Sequence, residues 1–286
     1  MDQAQGIRQM KSQQPVRVIA VTSGKGGVGK SNVTVNLAVT LAQAGDRVMV
    51  MDADMGLANI DVLLGLSPTS NLSHVINGEC SLEDIIIEGP AGIRIVPASS
   101  GVASMSDLTP AQNAGVIRSF SDLTEPVDTL LIDTAAGLSD SVVSYTRAAR
   151  EVIVVVCDEP ASITDAYAMI KVMNRDYGVE RFHVLSNQAH SIQEGRELYN
   201  KLARVSQKFL DVTLDFLGSV PYDESLKKAV QRQKSVVEAF PRSPSATAFK
   251  RIAKKAQGWP MPTDVEGHLE FFIERLVNFS AQDDRL

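Results

Sequence analysis

Apolar positions along this chain fall into short continuous runs, separated by stretches with helical spacing. Val16 to Thr22 (VRVIAVT) is a β-branched run that stops at a glycine-rich turn. Arg47 to Asp52, Ile93 to Ser99, Val127 to Asp133, Glu151 to Cys157, Phe182 to Asn187 and Leu214 to Val220 have the same character. Runs this short and unbroken predict strands covered on both faces, as in a mainly parallel sheet. Between them Val35, Leu37, Ala38 and Leu41 mark a helix over Ser31 to Ala44, ended by Gly45. Ser162 to Asp176 and Ile192 to Phe209 also read as helices. Strand and helix in alternation predict an α/β fold with a mainly parallel sheet flanked by helices. The expected division is a polar tail over 1–15, one α/β domain over 16–258, and a C-terminal helical extension with its tail over 259–286.

In that extension, Leu269, Phe272, Ile273, Leu276 and Val277 fall at i, i+3, i+4, i+7 and i+8, one apolar stripe along a helix. The stripe predicts a buried face without saying what buries it. Composition narrows the class only mildly. Of 286 residues 44% are hydrophobic and 22% charged, ordinary values for a globular protein, and the net charge of −6 argues against coating nucleic acid as the main task. Cys80 and Cys157 lie far apart without a CxxC, which suggests neither a disulfide framework nor a zinc site. The first fifteen residues are polar, and no window approaches the ~18 apolar residues of a membrane span. A soluble, cytoplasmic chain is the expectation.

The chemistry concentrates in SGKGGVGKS, Ser23 to Ser31. Gly24, Gly29, Lys30 and Ser31 fit G-x-x-x-x-G-K-[ST], and the motif sits after a strand and opens a helix. Glycines there let backbone N–H groups converge on an anion, and the helix start adds its positive end. Lys30 can reach the β- and γ-phosphates, and the Ser31 hydroxyl can ligate Mg²⁺. Two strand ends add acids. LLID closes on Asp133 and is followed by TAAG, where the Gly137 N–H is expected to be open to a γ-phosphate. MDADMGLAN offers Asp52 and Asp54 on alternate, same-facing positions. All of these lie at the carboxyl ends of strands, where open α/β sheets bind ligands. Lys25 is a second cation that a phosphate loop does not need.

KGGVGKS, DADMGLAN and DTAAG together resemble the deviant-Walker-A ATPases of the MinD/ParA type. The resemblance implies a single P-loop NTPase domain binding ATP and Mg²⁺, with Gly24, Lys25, Gly26, Gly27, Val28, Gly29, Lys30, Ser31 and Asn32 around the phosphates. It implies that Lys25 crosses an ATP-dependent homodimer interface to the partner's phosphates, a cation supplied in trans. It further implies that Lys25, Lys30 and Asp54 carry slow hydrolysis, with Asp54 orienting water and Ser31, Asp52 and Asp133 serving the metal. Asn187 matches the asparagine that reads adenine, Pro221 and Tyr222 the segment that packs on the base, and Glu159 a glutamate that reaches a ribose across the dimer. A GTPase would be expected to show N-K-x-D, whereas the only Asn-Lys pair, Asn200-Lys201, continues Leu-Ala.

DEPASITDAYAMIK (Asp158 to Lys171) and the N-terminal DQAQGIR (Asp2 to Arg8) resemble the flagellar-number regulators of the MinD branch, the FlhG/FleN type. That resemblance implies two partners: a flagellar SRP-type GTPase stimulated by the N-terminal motif, and a flagellar enhancer-binding transcription activator restrained by the ATPase. The family also uses a C-terminal amphipathic helix for peripheral contact with the inner face of the cell membrane. Here Glu266, Glu270 and Glu274 stand against Arg275 alone, which weakens attraction to anionic lipid, so docking on the domain is the competing reading. From Lys227 to Lys255 nine Lys/Arg accompany one acid, Glu238. Without interleaved aromatics this reads as a solvated face or partner dock, and direct DNA binding is disfavoured. The alternatives are a ParA-like ATPase that binds DNA non-specifically for segregation or positioning, and a metabolic kinase or ligase. DTAAG has no cysteine, which disfavours an iron-sulfur carrier. His183 is expected in the core of a strand.

Overall fold

Unbroken Val/Ile/Leu strands must be covered on both faces, and the chain meets that demand with three apolar clusters, one on one face of the sheet and two on the other. The computed structural model describes residues 15–54, 59–98, 109–261 and 269–283. Along the chain these form β1 (Arg17–Ser23), α1 (Lys30–Gln43), β2 (Val48–Ala53), α2 (Ile60–Leu64), α3 (Leu72–Ile76), α4 (Leu82–Ile85), β3 (Ile87–Glu88) and β4 (Arg94–Val96). Then follow α5 (Pro110–Ser121), β5 (Thr129–Ala136), α6 (Asp140–Ala148), β6 (Glu151–Val156), α7 (Pro160–Arg175), β7 (Arg181–Ala189), α8 (Ile192–Phe209) and β8 (Thr213–Pro221). The last helices are α9 (Glu224–Gln231), α10 (Val236–Ala239), α11 (Pro244–Gln257) and α12 (Leu269–Asp283).

The eight strands form one sheet in the order β3-β4-β2-β5-β1-β6-β7-β8. Every pairing is parallel except the short β3 against β4. Among the described residues of the run expected over Ile93 to Ser99, the strand is Arg94–Val96, and the antiparallel β3 has too few residues to show periodicity. Successive side chains of a strand face opposite ways, so β1 sends Ile19 and Val21 toward α1 and α11, and Val18 toward α6 and α12. A third cluster under α7 and α8 holds Val152, Val154, Met169, Ile170, Phe182 and Leu198.

The β8 edge would expose a row of unpaired backbone groups. Side chains blunt it: Lys255 Nζ donates to the Phe216 and Leu217 carbonyls at 3.2 and 2.8 Å, and the Tyr199 hydroxyl donates to Leu214 O at 2.7 Å. The strand order reverses direction at β1, which lies between β5 and β6. A crevice therefore opens at the carboxyl ends of the central strands.

Candidate nucleotide-binding site

The glycine loop leaves β1 at this crevice and turns straight into α1. Gly27 and Gly29 have φ of 83° and 86°, left-handed values that glycine adopts without a Cβ penalty. Gly29 caps α1 with no side-chain partner, and the first turn holds no acid. The helix start is thus left to an outside anion. Close approach also demands glycine here. A Cβ on Gly24 would stand 2.2 Å from the backbone carbon of Asp165 in α7, and one on Gly29 would stand 2.5 Å from Asn187 Nδ2. Lys30 is buried with its ammonium 2.9 Å from Asp133 Oδ1. The Ser31 hydroxyl makes no hydrogen bond among the described residues, and Asn32 Oδ1 accepts one from Asn36 Nδ2 at 2.6 Å.

Asp52 and Asp133 stand side by side, in register across β2 and β5. Asp52 is pushed up to about 6, first by burial and then by the neighbouring Asp133, while backbone N–H bonds pull it back. Its Oδ1 accepts from Asp54 N at 3.1 Å, and Oδ2 from Asn59 N at 3.2 Å and Ile60 N at 3.3 Å. The carboxylate thereby ties the backbone on either side of residues 55–58 and caps the start of α2. Asp133 is fully buried, and its Oδ2 has no partner.

The orphaned buried Asp133 oxygen, together with the uncommitted hydroxyl of Ser31, which follows Lys30 in the chain, is a donor set of the kind a nucleotide-bound Mg²⁺ calls for. That ion keeps several waters and leans on substrate phosphates, so a dedicated protein cage is not required. Consistent with this, the described residues contain no group of three or more His, Cys, Asp or Glu able to hold a metal alone. One expectation is corrected. The Gly137 N–H is not open to a phosphate but donates to Ser23 O at 2.9 Å, because β5 continues past Asp133 and pairs again with β1 after a register shift.

Lys25 turns away from the buried pair. It lies about two-fifths exposed, 2.5 Å from Oε2 of Glu159, the residue that caps the start of α7, and that hydrogen bond, then the charge of Glu159, raise its pKa. Asn187 is buried at the end of β7. Its Nδ2 donates to Val28 O at 2.7 Å, which fixes the amide and leaves Oδ1 as an unpartnered acceptor. An acceptor in that place suits the amino group of adenine and opposes the carbonyl of guanine. Tyr222 is exposed after β8, with its hydroxyl 2.7 Å from Glu224 Oε1 and Lys227 lying over its ring, while Pro221 is partly buried. The crevice thus gathers Gly24 to Asn32, Asp52, Asp54, Asp133, Glu159 and Asn187.

Two contributors escape sequence reasoning. Thr34 donates to Asp133 Oδ1 at 2.9 Å, and Asn36 accepts from Val236 N at 2.8 Å while donating to Asn32. Their signal was weak: both are polar residues in a helix whose neighbours are otherwise apolar. Away from the crevice, His183 is buried in β7 as expected, 2.7 Å from Glu151 and stacked on Trp259 at 4.0 Å. All nine Lys/Arg of the 227–255 stretch are exposed. The stripe on α12 packs into the core cluster of Leu130, Ile132 and Tyr145, against α5 and α6. No helix among the described residues is long and apolar enough to cross a membrane. The Asp2 to Arg8 motif, Glu266 and residues 55–58 of the DADMGLAN stretch lie outside the described residues.

Known proteins share this architecture. A family model described as ParA, NUBPL iron-transfer P-loop NTPase, matches residues 14–257. The antiactivator FleN of Pseudomonas aeruginosa is 60% identical over 275 residues, 96% of this chain and 98% of that protein. The flagellum site-determining protein YlxH of Helicobacter pylori is 31% identical over 268 residues, 92% of this chain and 90% of its own. Among solved structures, MinD of Pyrococcus horikoshii complexed with Mg-ADP superposes with a TM-score of 0.65 at 28% identity, covering 84% of this chain and 95% of that one. Pyrococcus furiosus MinD gives 0.68 at 25%, covering 85% and 98%. The chain belongs to the MinD/ParA family of P-loop ATPases and is a homologue of the antiactivator FleN over nearly its whole length.

Proposed function

We propose that this chain is an ATP-switched dimer that regulates flagellar number by restraining a flagellar enhancer-binding transcription activator, by stimulating a flagellar SRP-type GTPase, or by both. The observation that carries the switch is the division of labour between the two lysines. Lys30 is buried on Asp133 inside the crevice, whereas Lys25 sits at its rim, half-exposed on Glu159. A cation held at the rim is placed to serve a second copy. ATP enters with its phosphates on the Gly24 to Asn32 nest and its base against Asn187, Pro221 and Tyr222. Ser31, Asp133 and Asp52 would hold Mg²⁺ directly or through water, and the ion would supply countercharge to the phosphates. Two copies then close, Lys25 exchanges Glu159 for the partner's phosphates, and Glu159 is released toward the partner's ribose. Asp54 orients water, and slow hydrolysis reopens the pair.

The flagellar assignment rests on the 60% identity to FleN and the 31% identity to YlxH, both nearly end to end. In this reading the Asp2 to Arg8 motif stimulates the GTPase and the closed dimer engages the activator. The protein works in the cytoplasm, and membrane contact through α12 would require that helix to leave its buried seat. The exposed basic face over 227–255 favours one competitor, a ParA-like ATPase on DNA. Size in solution decides the switch. Wild type with ADP should run as one copy and Asp54→Ala with Mg·ATP as a stable pair that no longer turns over. A single copy under both conditions would sink the reading, and ATP-dependent, salt-sensitive retention on random DNA would favour the competitor.

A further inference from the structure

Lys30 has two anionic partners to serve, Asp133 in the structure and a phosphate once nucleotide is present, and this leaves a gap at Asp133. The Asp133 carboxylate is fully buried beside a second buried acid, Asp52, and its Oδ1 accepts from two donors at the same distance, Lys30 Nζ at 2.9 Å and Thr34 Oγ1 at 2.9 Å. Its Oδ2 has no partner. When the lysine ammonium turns to a phosphate, Thr34 is the remaining side chain on Oδ1.

We propose that Thr34 is a positioning residue for the metal-bearing nucleotide: it holds Asp133 by Oδ1, so that Oδ2 stays presented while Lys30 changes partners. Thr34 lies one turn after Lys30 on α1, fully buried, where positions four apart share a face. A threonine in a helix ordinarily back-bonds to the carbonyl four residues earlier. Here that carbonyl, Lys30 O, is 3.2 Å away, and the carboxylate at 2.9 Å is the nearer and charged acceptor. A hydroxyl shared between its own helix and, at the shorter distance, a buried acid on the neighbouring strand is placed to orient that acid.

The inference rests on the nucleotide reading above, and its test separates the two. Affinity for a non-hydrolysable ATP analogue is measured with Mg²⁺ and with EDTA on wild type, Thr34→Val, Thr34→Ala and Thr34→Ser. Binding in EDTA should stay within about twofold throughout, while the gain on adding Mg²⁺ falls about tenfold in the Val and Ala variants and survives in Ser, the usual size of an outer-shell effect. Thermal melting checks that each variant folds, and Ala is read should Val overpack. An unchanged Mg²⁺ gain in both variants overturns the role of Thr34. Equal losses with and without Mg²⁺ also overturn it, since they mark a packing defect. Wild type that gains nothing from Mg²⁺ overturns the nucleotide reading itself.

Discussion

At the scale of residues the crevice is a set of charges that compensate one another until a ligand arrives. Lys30 and Asp133 are 7% and 0% exposed, and Asp52 adds a second buried acid in register. Removing one member of a buried pair strands the other, at about 3 kcal/mol or more. Lys30→Met should therefore lower the stability of the nucleotide-free chain by roughly 3 kcal/mol in urea titration, and adding Asp133→Asn should restore much of it. Non-additivity of that kind marks a coupled pair; two independent, additive losses would place the ammonium elsewhere in solution. The loop's chemistry could be read from sequence because Gly27 and Gly29 are required by backbone conformation alone. The contacts of Thr34 and Gly137 could not. Each depends on a strand about a hundred residues away in the chain, and neither has a local pattern that announces it.

At the scale of elements, the strands and long helices follow from periodicity because each buries both faces or one stripe. What a stripe packs against is another matter. Leu269, Phe272, Ile273, Leu276 and Val277 define the α12 stripe equally well for a bilayer, a partner or the parent domain, and only the fold shows the cover supplied by α5 and α6. Phe272 is fully buried in that cluster. If the helix is seated there in solution, Phe272→Ala should cost about 3–5 kcal/mol of the stability of the nucleotide-free chain, the usual range for a buried phenylalanine. Denaturant unfolding followed by circular dichroism reads this out. A melting profile identical to wild type would mean that α12 spends its time off the domain. The acidic residues along α12 agree with a seated helix, since they give little attraction to anionic lipid once it is free.

At the scale of the whole molecule, a net charge of −6 on each copy works against closing two chains over two polyphosphates. Any closure must bring its own local countercharge, and Lys25 is the cation at the rim of the crevice best placed to supply it. In a single copy that charge is satisfied by Glu159 at 2.5 Å, so closure in the proposed switch would exchange one ion pair for another. The pair is exposed, so breaking it costs little, and in that proposal the gain would depend on a phosphate being present across the interface. This makes nucleotide binding and pairing separable. Lys25→Ala should bind a non-hydrolysable ATP analogue within a few-fold of wild type, because Lys30 and the glycine nest are untouched, yet remain a single copy in sedimentation at concentrations where wild type pairs. Lys25→Arg should recover little, since a planar guanidinium is a poor substitute for a compact ammonium in a tight glycine turn. A Lys25→Ala chain that pairs as wild type does would return Lys25 to the role of a surface cation and leave the switch without its trans charge.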